Sequence, residues 1–500
     1  MSDGDHSKVG KFYRGSTVFI TGATGFLGQV LLEKILRSLD VAKVYVMIRA
    51  KRNSTGAERL HRILEGALFD KVRQDPPGSK ELRSKVIPVE VDLSSDGDLV
   101  EGDIKSRLLE EVDVVFNLLA SISFNEPLDC AMRTNVVYSD RLLEFVSQMK
   151  RLKVVVHVST FYSNCDKNMI EERIYDDIGF GGYANIINIV SNMSDSEVRS
   201  MEPHVIKRFP NTYTFSKKCA EVMVREKYGS LPIGIFRPPI VTSTYQEPIT
   251  GWINNFNGPS GLVVMLSEGL YSAAFLDTRK RPFIVPVDYC VNALLMCAID
   301  IVEQRSLAPI IPVYNYTNPD RIFTWDKICA RFCEGLPPGK RVLAYCLTAT
   351  ITRNPVRYAI CKTIMRIEGL FLDFIRQLRG QKPAMSQIFE RMISQSDVLK
   401  FFTFREWTMR NDNIQRLWRQ EVSREDAETF PFDLTQVDWD AYYRSFIPGV
   451  VKYAIQPRKE KEQKSNVDKG KWEGKQCTLY AIWSILFFSL LKLVKYFIGR

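Results

Sequence analysis

Two side chains of opposite acid–base character lie four residues apart in the segment Pro210-Asn-Thr-Tyr-Thr-Phe-Ser-Lys217. The pattern up to Tyr228 is typical of a helix, so Tyr213 and Lys217 would share one helix face. An ammonium beside a phenol favours the phenolate and lowers the tyrosine pKa from about 10. Such a tyrosine can give a proton or a hydrogen bond to an oxygen that gains charge. The spacing predicts a proton-transfer pair, and the alternative is an ordinary surface helix face.

Two hydroxyl groups follow an apolar run that is typical of a buried strand. The run is Val154 to Val158, and Ser159 and Thr160 come directly after it. Ligands of parallel sheets bind beyond the carboxyl ends of the strands. We therefore expect these hydroxyls where chemistry would occur, although a hydroxyl after a strand is also common where no reaction takes place.

A glycine-rich turn near the start of the chain indicates what the site would bind. The apolar run Thr17 to Ile20 leads into Gly22, Gly25 and Gly28, and the stretch 26–39 has apolar residues at helical spacing. In such a strand–turn–helix unit, the three glycines permit the tight turn, the approach of backbone to a pyrophosphate, and close helix packing. The helix N-terminus attracts phosphate. This context predicts a dinucleotide site rather than an ordinary turn.

The residues after the second and third strands favour NADP over NAD. The apolar run Val44 to Ile48 is followed by Arg49, Lys51 and Arg52, where an NAD site usually has an acidic residue. Cations there suit a 2′-phosphate, because a guanidinium binds phosphate through two hydrogen bonds. After the strand Val86 to Val91, Asp92 could accept a hydrogen bond from the adenine amino group.

The alternation of strands and helices predicts an α/β fold with a Rossmann-like, doubly wound parallel sheet. Six strands are expected: 17–20, 44–48, 86–91, 114–119, 154–158 and 233–236. The polar, acidic stretch 161–210 is expected to be an irregular insertion over the site, and 241–318 the substrate side. A further strand and helix, 285–300, would pack back on the sheet.

Composition shifts predict four regions along the chain. They are a cofactor-binding domain over 12–320, a smaller helical domain over 338–453, a charged linker over 456–478 and an apolar tail over 479–498. The tail has no charge from Leu479 to Leu491, and its last part contains Lys492 and Lys495. Thirteen helical residues reach about 20 Å, less than a bilayer core of about 30 Å. A spanning tail and a one-sided membrane helix both remain open.

The net charge and the cysteine content limit the classes of binding partner and the compartment to be expected. The formal net charge is +10, and no zinc-finger spacing or long Lys/Arg run favours nucleic acid, so anionic ligands and lipid head groups are the better interpretation. Ten scattered cysteines are typical of a reducing compartment. Cys329 and Cys333 have no second pair nearby, so no metal site is expected.

Several segments together resemble the extended short-chain dehydrogenases/reductases, and more narrowly the fatty acyl-CoA reductases. The segments are Thr21-Gly-Ala-Thr-Gly-Phe-Leu-Gly28, Tyr45-Val-Met-Ile-Arg-Ala-Lys51, His157-Val-Ser-Thr-Phe-Tyr162, Pro210 to Lys217, and Phe401 to Asn413. The resemblance covers about Phe12 to Arg500. One stretch departs from it: Asn117-Leu-Leu-Ala120 stands where the family leads us to expect a His and paired Ala.

The resemblance implies NADPH-dependent reduction of a long-chain acyl-CoA to a primary fatty alcohol, with release of CoA. Tyr213 and Thr160 would hold the substrate oxygen, with Ser159 the other candidate hydroxyl, and Lys217 would hold the cofactor ribose and tune Tyr213. The cofactor-binding residues would be Gly22, Thr24, Gly25, Phe26, Leu27, Gly28, Arg49, Lys51, Asp92, Asn135, Tyr213 and Lys217.

Two other functions are compatible with the same residues. One is a reductase or epimerase of the same fold that acts on a steroid or a nucleotide sugar. The other is a membrane-bound NADP sensor without catalysis, against which the Tyr213/Lys217 pair argues. We expect an intracellular membrane, endoplasmic reticulum or peroxisome, with the catalytic domain facing the cytosol; the sequence is silent on oligomeric state.

Overall fold

The structure is a computed structural model, and it describes residues 7–49, 54–74, 84–93, 97–261, 273–317, 323–335, 350–378 and 380–457. Its strands are β1 (Thr17–Thr21), β2 (Lys43–Arg49), β3 (Val86–Val91), β4 (Val114–Asn117), β5 (Val154–Val158), β6 (Met169–Ile170), β7 (Ile233–Arg237), β8 (Ile240–Thr242), β9 (Ala273–Phe275), β10 (Ile284–Pro286), β11 (Val313–Asn315), β12 (Thr350–Thr352) and β13 (Thr408–Met409).

The α-helices, in chain order, are α1 (Lys8–Tyr13), α2 (Phe26–Ser38), α3 (Gly56–Leu64), α4 (Asp70–Gln74), α5 (Gly102–Glu111), α6 (Leu128–Met132), α7 (Tyr138–Val146), α8 (Tyr183–Ser191), α9 (Asp195–Val205), α10 (Thr212–Tyr228), α11 (Val287–Leu307), α12 (Trp325–Gly335), α13 (Pro355–Leu378), α14 (Met385–Thr403), α15 (Asp412–Arg416), α16 (Arg424–Thr429) and α17 (Trp439–Gly449). π-helical segments occupy Arg133–Val137, Leu417–Glu421 and Val450–Ile455.

A seven-stranded parallel sheet carries the site. Its order is β11-β7-β5-β4-β1-β2-β3. The strands β1 and β5 are buried along their whole length, and apolar residues form the middle of β1 and all of β5 except His157. The chain winds outward from β1 in one direction to β3 and then continues from β4 on the other side. The reversal between β1 and β4 opens a crevice at the carboxyl ends of these strands. The predicted Rossmann-like parallel fold is confirmed.

The edges of this sheet differ from the sequence-based expectation. The strand and helix expected over 285–300 are β10 and α11, and α11 packs against β5 and β7 as predicted, whereas β10 pairs with β8 outside the main sheet. The seventh strand of the sheet is β11, whose three residues are too few to show a pattern in the sequence. The stretch 161–210 is not irregular throughout, since it contains α8 and α9. Ser194 and Glu197 form a capping box that starts α9.

Contacts divide the chain into two units that alternate along the sequence. The first unit comprises Met1–Thr250, Phe283–Arg321 and Trp407–Val437, and the second comprises Gly251–Pro282, Ile322–Glu406 and Asp438–Arg500. Composition predicts continuous domains, whereas here the segment 407–437 returns to the first unit. The Trp407 indole donates to the carbonyl of Cys165 at 3.1 Å, and β13 pairs with β6.

The second unit has its own apolar core, built mainly from helices. The helices α13 and α14 pack against β9, and the ring of Phe275 stacks on Tyr358 with 4.6 Å between centroids. Met365, Phe389 and Ile393 complete the contact between the two helices. A helical C-terminal region is thus confirmed.

The predicted linker and tail lie almost entirely outside the described residues, which end at residue 457. Within the described ranges, no helix combines the length and the apolar character that a membrane crossing requires.

The returning segment 407–437 should stabilise the first unit through a buried carboxylate. The Arg416 guanidinium lies 2.6 Å from Asp300, whose side chain is 1% exposed and also accepts from the Tyr314 hydroxyl. Arg416→Ala would leave this carboxylate without its cation, so we expect the free energy of unfolding to fall by about 2–4 kcal/mol, measured by chemical denaturation.

Arg410→Ala provides the matched control, because its ion pair with Asp412 is exposed and should contribute less than about 1 kcal/mol. Equal stability losses in the two variants would contradict the assigned role of Arg416.

Candidate active site

Two glycines of the turn between β1 and α2, Gly22 and Gly28, have no room for a side chain. A Cβ on Gly28 would lie 2.4 Å from the Gly22 carbonyl oxygen, and one on Gly22 would lie 2.8 Å from the carbonyl of Leu118. Gly22 also has a φ of +68°, which favours glycine. The exposed Gly25 is the N-cap of α2 and has no side chain to cover the helix amides. Thr24, Phe26 and Leu27 lie around it, partly exposed.

A chain of hydrogen bonds crosses three neighbouring strands beside this turn. The Thr21 hydroxyl donates to Asn117 Oδ1 at 2.9 Å and accepts from the amides of Leu118 and Leu119, each at 3.1 Å. The Asn117 side-chain amide in turn lies 3.1 Å from Nδ1 of His157. Burial lowers the pKa of His157 well below its usual value, with a further contribution from Lys217, so the ring is neutral. Asn117, the residue that departs from the family pattern, therefore connects the glycine turn to β5.

Tyr213 lies in the first turn of α10, beyond the end of β5. Asn211 caps this helix, since its side chain accepts from the Thr214 amide at 2.9 Å. The Tyr213 phenol hydrogen-bonds to the side chain of Thr160, and burial raises its pKa to about 12, with the Thr160 bond lowering it in part. The tyrosine is therefore neutral and can donate a proton at physiological pH. The predicted lowering of the Tyr213 pKa by Lys217 is wrong here, because desolvation dominates.

Lys217 is buried one helical turn after Tyr213. Its ammonium donates to the carbonyl of Val158, the last residue of β5, at 2.7 Å. Burial lowers the pKa of this ammonium to about 8, although the charge of Glu221 opposes the shift. The ammonium thus remains mostly charged near neutrality.

The two strand-end hydroxyls face different partners. Thr160 contacts the Tyr213 phenol, whereas the Ser159 hydroxyl donates to Oε1 of Glu221. The structure therefore brings Thr160, and not Ser159, to the phenol.

Sequence reasoning missed a buried ion pair behind the site. Both nitrogens of the Arg237 fork bind Glu221, at 2.8 and 2.6 Å, and the guanidinium also donates to the carbonyls of Glu171 and Arg173. Both side chains are essentially unexposed. The sequence contains a sign of this role for Glu221. Tyr213, Lys217 and Glu221 are each four residues apart, so all three share one face of the helix. The pair ties the acidic insertion to α10 and β7.

Both the oxygen and the nitrogen of the Asn135 side-chain amide form hydrogen bonds within the protein. Its Oδ1 accepts from the Ser121 amide at 2.8 Å, and its Nδ2 donates to the Ser216 hydroxyl at 2.9 Å and to the Ser121 carbonyl at 3.2 Å. It therefore joins the segment after β4 to α10, beside Lys217, and positions both.

The ends of β2 and β3 carry the remaining predicted residues. Arg49 and Asp92 are exposed at this edge, and Lys51 lies outside the described residues. Arg59, which sequence reasoning missed, donates to the Arg49 carbonyl at 2.5 Å. Burial and the charges of Arg49 and Arg62 lower the Arg59 pKa. Arg49, Arg59 and Arg62 are therefore close enough for their charges to interact, and such cations suit a 2′-phosphate.

Comparisons with known proteins assign the chain to a family. An NAD-binding model described as Male sterility protein matches residues 20–294, and a second model with the same description, Sterile, matches 364–456. Fatty acyl-CoA reductase wat from Drosophila melanogaster is 32% identical over 466 residues, which cover 93% of this chain and 88% of the relative. This chain belongs to the fatty acyl-CoA reductases. Fatty acyl-CoA reductase 1 from Rattus norvegicus is also 32% identical, over 89% of this chain and 86% of that protein.

Solved structures agree with the fold of this reductase. The reductase (R) domain of a non-ribosomal peptide synthetase from Mycobacterium tuberculosis matches with a TM-score of 0.56 at 18% identity, covering 87% of this chain and 91% of that one. The terminal R domain from the myxalamid PKS-NRPS pathway matches with a TM-score of 0.54, also at 18% identity, covering 88% of this chain and 92% of that one.

The glycine turn fits the pyrophosphate of the nicotinamide cofactor that the family implies. The backbone of Gly22 and Gly28 leaves no space for a Cβ, and the amides at the start of α2 offer N–H donors beside the exposed Gly25. The arginines at the end of β2 suit the extra phosphate of NADPH. We propose that the turn binds the pyrophosphate and that these arginines bind the 2′-phosphate.

Substitutions in the turn should separate folding from cofactor binding. Gly28→Ala places a Cβ 2.4 Å from a backbone oxygen, so we expect a lower melting temperature and weaker NADPH binding. In Gly25→Ala the new Cβ lies 3.1 Å from the Gly22 oxygen at an exposed position, so the melting temperature should change little. NADPH binding should still weaken about tenfold, because the methyl group obstructs the helix amides.

Thermal unfolding and fluorescence titration with NADPH measure the two effects. Unchanged NADPH affinity in Gly25→Ala would contradict the placement of the pyrophosphate at this turn.

Proposed function

We propose that this protein reduces long-chain fatty acyl-CoA to a primary fatty alcohol, consuming two NADPH and releasing CoA. The observation that supports the proposal is the contact of the Tyr213 phenol with Thr160 just beyond the end of β5, together with the Lys217 ammonium on the carbonyl of Val158, the last residue of that strand. The same edge of the sheet carries the glycine turn, two strands away. Membership of the fatty acyl-CoA reductases supports the substrate class.

The three side chains act on the oxygen of the substrate carbonyl. NADPH supplies the hydride when it is bound. Tyr213, which is neutral because its pKa is about 12, donates its proton to the oxygen as that atom gains charge. Thr160 would hydrogen-bond the same oxygen, and Lys217 would hold the cofactor ribose, where its positive charge favours the developing anion.

The same residues serve two successive reductions. In the first, the thioester carbonyl gains hydrogen at carbon and a proton at oxygen, giving a hemithioacetal. As the C–S bond of the hemithioacetal breaks, its hydroxyl proton returns to the Tyr213 oxygen, an aldehyde remains, and CoA leaves as a thiolate that takes a proton from water. In the second, the aldehyde gains hydrogen at carbon and a proton from Tyr213 at oxygen, giving the alcohol.

We also propose that the tail, residues 479–498, brings the enzyme to an intracellular membrane of the endoplasmic reticulum or peroxisome. The support lies in the sequence: Trp483, Phe487 and Phe488 lie in the uncharged run, and Lys492 and Lys495 can extend toward head groups. An acyl-CoA partitions into lipid, so a membrane location would supply the substrate to a catalytic domain that faces the cytosol.

Removing the phenol hydroxyl should abolish most alcohol formation. We expect Tyr213→Phe to lower kcat about a hundred- to a thousandfold while NADPH still binds, because only the proton donor is lost. Purified protein is given palmitoyl-CoA and NADPH, and hexadecanol is measured by gas chromatography and mass spectrometry. Tyr138→Phe, on the separate helix α7, is the control and should retain activity.

Retained alcohol formation in Tyr213→Phe would contradict the role of this residue. Absence of any alcohol from the unaltered enzyme, with NADPH oxidised on another carbonyl substrate, would contradict the substrate class.

The charge of Lys217 should set the basic limit of activity. Because the pKa of this ammonium is about 8, its charge is present below pH 8 and is lost as the pH rises through that value. We therefore expect kcat/KM for NADPH to fall above pH 8 in the unaltered enzyme. Lys217→Met should remove this dependence together with most of the activity. A profile that stays flat to pH 10 would contradict the assignment.

A further inference from the structure

One helix of the second unit has two apolar faces, and only one of them is covered within that unit. The inner face of α13 is buried against α14 and β9 through Tyr358, Cys361 and Met365. Six large apolar side chains on its opposite side are exposed: Val356, Ile360, Ile367, Leu370, Phe374 and Leu378. We call these six residues the outer stripe. Val356, Leu370 and Phe374 are 67%, 64% and 56% exposed, which is unusual for side chains of this size.

The positions of the outer stripe follow the period of the helix. Apart from the gap that Thr363 fills, successive members are three or four residues apart, so they form one continuous line along α13. From Val356 to Leu378 the line runs about 33 Å at 1.5 Å per residue. A straight, convex apolar line of this length has the form of a helix that lies in the plane of a membrane interface.

Charges beside the outer stripe are basic. The cations of α13 are Arg357, Lys362, Arg366 and Arg376, and on a helical projection Arg357 and Arg366 flank the stripe on opposite sides. The two acidic residues of the helix, Glu368 and Asp373, are buried on the inner face, where Asp373 accepts from the amides that begin α14. Two of the cations also pair with α14, Lys362 with Asp397 and Arg366 with Glu390. These pairs leave Arg357 as the cation beside the stripe that has no ion pair among the described residues, and with the formal net charge of +10 for the chain this face suits an anionic surface.

The same charges disfavour two other occupants. A second copy of the chain would bring two basic-flanked stripes together, and like charges repel. The apolar tail 479–498 contains Lys492 and Lys495 and no acidic residue, so it offers the arginines no partner.

We propose that the outer stripe of α13 inserts into the surface of an anionic phospholipid bilayer, with Arg357 on the head groups. The contact is separate from the tail and does not depend on the proposed reduction. It would lay the helix flat on the membrane from one side.

Vesicle flotation with full-length protein tests this proposal. Because the tail is also expected to bind membranes, each protein is prepared with an unaltered tail and with Phe487→Glu/Phe488→Glu. The stripe variant is Leu370→Glu/Phe374→Glu. The matched control is Gln387→Glu/Gln395→Glu, which adds the same charge at exposed positions of the neighbouring helix α14. Vesicles contain phosphatidylcholine alone or phosphatidylcholine with phosphatidylserine.

We expect the tail-altered protein to float with phosphatidylserine vesicles better than with phosphatidylcholine alone, and less at high salt. Adding the stripe substitutions should lower that flotation about tenfold or more, because two apolar anchors become charged. The control substitutions should change it little. Leu370→Ser/Phe374→Ser, which adds no charge, should give a smaller decrease in the same direction, and retained NADPH binding verifies folding.

Two results would overturn the proposal. The first is a failure of the stripe to contribute to flotation: the tail-altered protein does not float at all, or it floats equally with and without the stripe substitutions. The second is that the stripe substitutions convert a dimer to a monomer in light scattering without changing flotation, which would assign the outer stripe to self-association.

Discussion

The contact between the Lys217 ammonium and the Val158 carbonyl is the one on which the rest of the site depends. Burying an ammonium this deeply costs free energy unless a polar group accepts its hydrogen bonds. The carbonyl at the end of β5 accepts one at 2.7 Å. The contact fixes the rotation of α10 above the strand end. Residues four positions away on either side then take set places: Tyr213 meets Thr160, and Glu221 points into the protein.

Glu221 extends this constraint to the rest of the first unit. Its carboxylate is held by both arms of Arg237 and by the hydroxyls of Ser159 and Ser163. The Arg237 guanidinium also donates hydrogen bonds to the carbonyls of Glu171 and Arg173, so the acidic insertion is attached to the same ion pair. One buried network therefore positions the proton donor, the strand end and the insertion together. Removing either charge would leave the other buried and unpaired, a situation that costs several kcal/mol.

The sequence predicts the parts of this arrangement that depend on local pattern. The apolar runs of β1 and β5, the glycine turn and the helix that carries Tyr213 and Lys217 follow from period and turn chemistry, and all lie as expected. The roles of Ser159 and Asn135 could not be read locally. Their partners, Glu221 and Ser216, come from segments more than sixty residues away. The direction in which the Tyr213 pKa shifts also depends on burial, which the spacing of residues in the sequence does not reveal.

The interleaving of the two units escaped prediction for a similar reason. The return of the segment 407–437 depends on single contacts, such as Arg416 with Asp300 and Trp407 with Cys165. Each of these residues is unremarkable in its own stretch of sequence. Arg59 is an intermediate case, because it lies on a short helix after β2 and only the fold brings it to Arg49.

A structure of the enzyme with NADP⁺ and a non-reacting analogue of the acyl thioester tests the central claim most directly. We predict that the carbonyl oxygen of the analogue lies within hydrogen-bond distance, about 2.6–3.2 Å, of both the Tyr213 phenol and the Thr160 hydroxyl. We also predict that Lys217 contacts the ribose of the cofactor. An analogue bound with its carbonyl oxygen on other residues, and Tyr213 out of reach, would contradict the role of this tyrosine as the proton donor.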